Sequence, residues 1–97
     1  MEKLSFEYPA SGEKPNRAHV GVVGSGDLEI LIEPSGDTKA HITIQTSVTG
    51  FAETWKAVLD RFFANYQGAA SFDIRDCGAT PGTVAMRLQQ AVEVSRS

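Results

Sequence analysis

The chain has a single cysteine, Cys77, so it can form no internal disulfide. A reducing cytoplasm suits such a chain, and that is the expected location. Long apolar runs are also missing. None approaches the ~20 residues of a membrane helix, so no membrane association is expected. The first ten residues mix polar and apolar types and lack the pattern of a signal peptide. Basic residues are scarce. Nine Lys and Arg stand against 12 Asp and Glu, for a net charge of -3. Nucleic-acid binders carry a basic patch, which sets that class aside. An acidic balance fits partners that present basic surfaces. There are no repeats and no low-complexity tracts. The 97 residues fit one domain, 1–97, with a core of modest size.

What is present is periodic. Leu4, Phe6 and Tyr8 alternate with Ser5 and Glu7, the mark of a half-buried strand. The same alternation puts Ala18, Val20 and Val22 on one face of a second strand, and Leu28, Ile30 and Ile32 on one face of a third. Ala40, Ile42 and Ile44 define a fourth strand, Phe72 and Ile74 a fifth. Pro9–Asn16 and Pro34–Thr38 read as loops. Trp55, Val58, Leu59, Phe62, Phe63 and Tyr66 follow helical spacing, with Gly68 placed to stop the helix. A second helix opens at Thr80-Pro81, a capping residue followed by proline, and buries Val84, Leu88, Ala91 and Val92. The order is β-β-β-β-α-β-α. The predicted fold is α+β, a two-layer sandwich. A mostly antiparallel sheet of about five strands carries both helices on one face. The fourth strand, first helix and fifth strand form a crossover, for which a right hand is expected.

Between the second and third strands lies Gly24-Ser25-Gly26, followed by Asp27. This is a hairpin turn whose glycines supply angles that other residues resist. The Ser25 hydroxyl should project from the end of the sheet, unshielded by its neighbours. A nucleophile elbow needs glycine where Val23 and Asp27 stand, and a helix after the serine. A dinucleotide fingerprint needs glycine where Glu29 stands, and a helix N-terminus. Both patterns fail. His19 and His41 fall on the wet face of strands, and no catalytic constellation forms around them. Two readings stay open from the residues: an ordinary turn serine, or an exposed serine that a modifying enzyme converts to a phosphodiester. In the second, Asp27, Glu29 and Glu33 mark the site for a basic partner surface.

Cys77 reads as a small packed or idle side chain before Gly78. Asp27, Asp73 and Asp76 are too scattered for a metal loop, and no metal is expected. Trp55 and the phenylalanines fit a core.

Four segments bring in a family. Leu4-Ser-Phe-Glu-Tyr8, then the run Val22-Val-Gly-Ser-Gly-Asp-Leu-Glu-Ile-Leu-Ile-Glu-Pro34, then Gly78-Ala-Thr-Pro-Gly82 and Arg87-Leu-Gln-Gln-Ala91 occur in this order. Together they resemble the acyl carrier (delta) subunit of bacterial malonate decarboxylase along nearly the whole chain. The resemblance implies a carrier that is not itself an enzyme. Ser25 would hold 2'-(5''-phosphoribosyl)-3'-dephospho-coenzyme A through a phosphodiester, with Gly24, Gly26 and Asp27 forming the turn around it. Acetyl and malonyl thioesters on that group would pass between an acyl carrier transferase and decarboxylase subunits. A holo-carrier synthase would attach the group. The similar carrier of citrate lyase is the alternative within the class. A non-covalent assembly subunit with an unmodified Ser25 is the alternative outside it. Ordinary acyl carriers are helical bundles with Asp-Ser-Leu at a helix start. A standard phosphopantetheinyl transferase is therefore not expected to recognise this hairpin.

Overall fold

Alternating apolar residues build β1 (Glu2–Pro9), β2 (Ala18–Gly21), β3 (Asp27–Pro34), β4 (Lys39–Thr46) and β5 (Ala70–Cys77). Helical spacing builds α1 (Ala52–Phe63) and α2 (Pro81–Ser95). The structure is a computed structural model and describes residues 1–96. The element order is the expected β-β-β-β-α-β-α.

The sheet order is β1-β4-β5-β3-β2. β4 and β5 run parallel, as a crossover through α1 requires, and the other neighbours are antiparallel. Register lines the apolar residues up in rows across all five strands. One row is Val20, Ile30, Ile74, Ile44 and Leu4; the next is Ala18, Ile32, Phe72, Ile42 and Phe6. A one-residue slip in any strand would turn its row to the solvent, so burial locks the register. β5 lies centrally, and its Phe72 and Ile74 are almost wholly buried. The opposite face carries Thr43, Gln45, Ser71, Asp73 and Arg75.

Both helices close the apolar face and share one core with the sheet. α1 buries Trp55, Leu59 and Phe63, at intervals of one turn. An aromatic cluster seats its end. Tyr8 stacks on Phe63 with centroids 4.5 Å apart, and Phe72 meets Phe62, Phe63 and Tyr66 edge to face. The Tyr8 hydroxyl donates to Asp60 Oδ1 at 2.6 Å, tying β1 to α1. Burial, and then Asp60, push the Tyr8 phenol above its ordinary range.

The end of α1 differs from expectation. The helix stops at Phe63, and Tyr66 and Gly68 lie beyond it. Tyr66 still packs among the aromatics, so its apolar spacing was genuine while its helical reading was not. Gly68 is not the helix stop. Its site is occupied by the Tyr66 ring, which leaves no room for a Cβ. The α2 start agrees with expectation: Thr80 Oγ1 accepts from the Thr83 N–H at 3.2 Å, and Pro81 is the first helical residue.

Candidate functional site

β2 leaves the sheet at Gly21, earlier than alternation predicts. Its φ is +79°, and a Cβ there would strike the Leu28 carbonyl oxygen. The backbone swings away, and Val22 does not reach the core row. It is 70% exposed, in a connection that spans residues 22–26. Alternation cannot register a residue after a left-handed bend, which explains the miss. Alanine at Gly21 adds both a disfavoured φ and a backbone clash. Gly21→Ala is expected to lower stability by about 1–3 kcal/mol, read as a drop in urea midpoint. An unchanged midpoint would show that the bend is not obligatory.

The end of the connection is a four-residue turn, Gly24 to Asp27. The Asp27 N–H donates to the Gly24 carbonyl at 2.9 Å. Gly26 has φ +75°, while Ser25, like every described non-glycine residue, avoids positive φ. That is the pattern of a type II turn with Ser25 and Gly26 at its centre. Of the two glycines only Gly26 is needed for its backbone angle. A Cβ on Gly24 or Gly26 would meet nothing within 4 Å, so open space lies on both sides of Ser25. Ser25 is exposed, and its hydroxyl has no hydrogen-bond partner among the described residues.

The turn is held from behind at two points. The Gly26 N–H donates to the Cys77 carbonyl at 2.7 Å, fixing the turn to the end of β5. Arg87 on α2 grips the Asp27 carboxylate with two donors, Nε at 3.1 Å and Nη2 at 2.8 Å. Its Nη1 donates to Gln90 Oε1 at 2.8 Å, which orients the guanidinium. This paired geometry is the strong form of a charge-assisted bond. Arg87, then the Leu28 N–H, hold the Asp27 carboxyl below its usual range.

The sign of the resulting pH effect follows from that depression. The Asp27 contribution is fully present above the unfolded pKa of about 3.8 and is lost as pH falls through the lower folded value. Asp27→Asn should therefore weaken the fold at neutral pH yet flatten its decline between about pH 5 and pH 2. Urea midpoints across that range, beside the unsubstituted chain, test this. Parallel declines would remove the clamp from the stability account.

The other acids of β3 are also engaged. Glu29 meets His19 at 2.7 Å and Glu33 meets Arg17 at 3.4 Å. The acids that the modification reading assigns to a basic partner surface thus each already face a basic side chain of this chain. His41 lies against Asp37 and shares no bond with Ser25. Asp73 faces Arg75 and Asp76 turns inward, so the three aspartates considered for a cation lie apart. Among the described residues no group of His, Cys, Asp and Glu is arranged to hold a metal ion. Cys77 is half-buried, and its backbone carbonyl is the part that touches the turn.

The family profile described as "Malonate decarboxylase delta subunit (MdcD)" matches residues 15–95, which contain the turn, the β5 end and α2. The chain belongs to the malonate decarboxylase acyl carrier family. It is 51% identical to the malonate decarboxylase acyl carrier protein of Azotobacter vinelandii, over 96% of this chain and 95% of that one. It is 48% identical to that of Pseudomonas aeruginosa, with the same coverage. A chain in a crystal structure of a Pseudomonas malonate decarboxylase hetero-tetramer in complex with malonate superposes with a TM-score of 0.92. The two are 49% identical, over 97% of this chain and 98% of that one. Of the two carrier families raised by the sequence, these relatives fall in the malonate decarboxylase one.

Arg87 escaped the sequence reading as part of the site, and Asp76 entered it only as a cation candidate. Arg87 precedes the buried Leu88, on the boundary of the helix stripe, and that position was the available signal. Asp76 is buried by strand parity with Ile74 and Phe72. An acid at a core position is unusual enough to flag.

Proposed function

We propose that this chain carries acyl groups as thioesters on 2'-(5''-phosphoribosyl)-3'-dephospho-coenzyme A, attached through a phosphodiester to Ser25. It delivers them to the acyl carrier transferase and decarboxylase subunits of a malonate decarboxylase assembly. The observation that carries this reading is the unpartnered Ser25 hydroxyl at the tip of a clamped turn, in a chain of this family. The residues fit the group, because both glycine positions leave the approach to Ser25 open.

Attachment breaks the Ser25 O–H bond and forms an O–P bond to an activated phosphate, whose leaving group departs with its electron pair. The nearest acid in sequence, Asp27, is committed to Arg87 and is not free to take the proton. The base therefore belongs to the attaching enzyme, a holo-carrier synthase. Once bound, the group supplies a thiol whose thioester carbonyl accepts the negative charge left as carbon dioxide departs. The stabilising donors for that charge lie in the partner subunits. This chain's task is to hold the attachment point still and exposed.

The deciding experiment is the intact mass of the chain purified from its own host grown on malonate, with the modified peptide mapped. An added phosphoribosyl-dephospho-coenzyme A group on Ser25 is expected. An unmodified chain within an active decarboxylase would overturn the carrier reading and favour a non-covalent assembly subunit.

A further inference from the structure

The Ser25 end of the sheet also carries a small cavity of about 210 Å³. It lies where the parallel strands β4 and β5 end and where α1 and α2 begin. Trp55 and Val84 line it from the buried core, while Val48 and Phe51 stand at its exposed mouth. Asp76 supplies one polar wall. The Asp76 carboxylate accepts from Thr46 Oγ1 at 2.9 Å, the Gly78 N–H at 3.1 Å and the Ala79 N–H at 3.0 Å. It is 6% exposed and built into the loop that follows β5.

The serine turn adjoins this cavity. Gly26 is bonded to the Cys77 carbonyl, and the next residue, Gly78, lines the pocket. With one Cα step of about 3.8 Å on either side of that bond, the attachment oxygen is within roughly 10–15 Å of the mouth. A nucleotide-plus-pantetheine arm is far longer than that. The volume is below the ~300 Å³ at which pockets for whole small molecules begin, so it suits only the end of such an arm.

We infer that this pocket shelters the neutral acetyl thioester end of the arm on Ser25 and excludes the malonyl form. The inference rests on the carrier reading above. An acetyl thioester is short and uncharged, and it can replace water against Trp55, Phe51 and the two valines. A malonyl end carries a free carboxylate. It would lose hydration and face Asp76, whose acceptor sites already hold their donors. The first turn of α1 carries Glu53, and at the start of α2 the donors are committed: Pro81 has no N–H, Thr80 takes the Thr83 N–H, and Asp76 takes those of Gly78 and Ala79. The acetyl form is thus stored, and the malonyl form stays free for the decarboxylase.

The test uses the full chain, isotope-labelled and loaded at Ser25 with the free thiol, acetyl or malonyl form. Acetyl loading is expected to shift the amides of Val48 and Val84 and the Trp55 indole, and to give contacts between the acetyl methyl and the Trp55 ring. Malonyl loading should leave these signals where the free thiol leaves them. Hydroxylamine should cleave the acetyl thioester several-fold more slowly in the folded chain than in urea, after correction with free acetyl-pantetheine. Val48→Trp, at the exposed mouth, should abolish that protection without unfolding the chain. Equal shifts for acetyl and malonyl, or no shift for acetyl on a chain with confirmed mass at Ser25, would overturn this inference alone. Failure of the host to load Ser25 would overturn the carrier reading, and this one with it.

Discussion

Alanine at Ser25 is expected to leave the chain folded and to reduce malonate decarboxylation by the assembled enzyme below detection. The two halves of that result have separate causes. The hydroxyl makes no hydrogen bond in the fold and the residue is exposed, so its loss should change stability by no more than about 0.5 kcal/mol. On the carrier reading the same oxygen is the only covalent link to the thioester, so its removal leaves nothing to deliver. Ser25→Thr keeps the oxygen and adds a methyl group in open space, and it should retain part of the loading. Complex formation must be checked by gel filtration, since lost assembly would also abolish turnover. A complex containing the Ser25→Ala chain that assembles and still decarboxylates malonate at the normal rate would end the proposal.

The largest effect on stability is expected at Phe72. This residue is 1% exposed, on the central strand β5, between Ile32 and Ile42 in the apolar row. Three aromatic rings meet it edge to face. Phe72→Ala removes that ring from between sheet and helices and leaves a cavity that the rigid row cannot close. A loss of about 3–5 kcal/mol is expected. Domains of this size have only about 5–15 kcal/mol in total, so the variant should be barely folded at about 37 °C. Urea unfolding followed by Trp55 fluorescence measures it. A loss under about 1 kcal/mol would mean that α1 and the sheet can close over the gap.

Much of this architecture was legible because burial is written in periods. Alternation placed every strand, and the Thr80-Pro81 pair placed the start of α2. The failures occur where a single contact overrides the period. Val22 continues the alternation of β2 but follows the bend at Gly21 into solvent. Tyr66 continues the spacing of α1 but packs from a loop. The β2–β3 hairpin and the β4–β5 crossover were legible, but the placement of β3 beside β5, and of β1 beside β4, was not, because local sequence does not distinguish those pairings. In the site, the serine and its glycines were visible as a turn. Their anchors, Arg87 and the Cys77 carbonyl, lie 62 and 52 residues away from Ser25 in the chain and become neighbours only on folding. A backbone carbonyl leaves no trace in sequence whatever.

Those two anchors make Ser25 a pivot rather than a swinging loop. On the carrier reading, all the reach must then come from the attached group, and the region it explores is a cap of fixed centre. Its local concentration at a partner's active site scales inversely with the volume swept, so doubling the radius would dilute the thioester about eightfold. A mobile pivot would enlarge that volume without helping delivery. The clamp from α2 and β5 therefore acts as a limit on wandering, and it requires every active site served by this chain to lie within one arm's length of a single point.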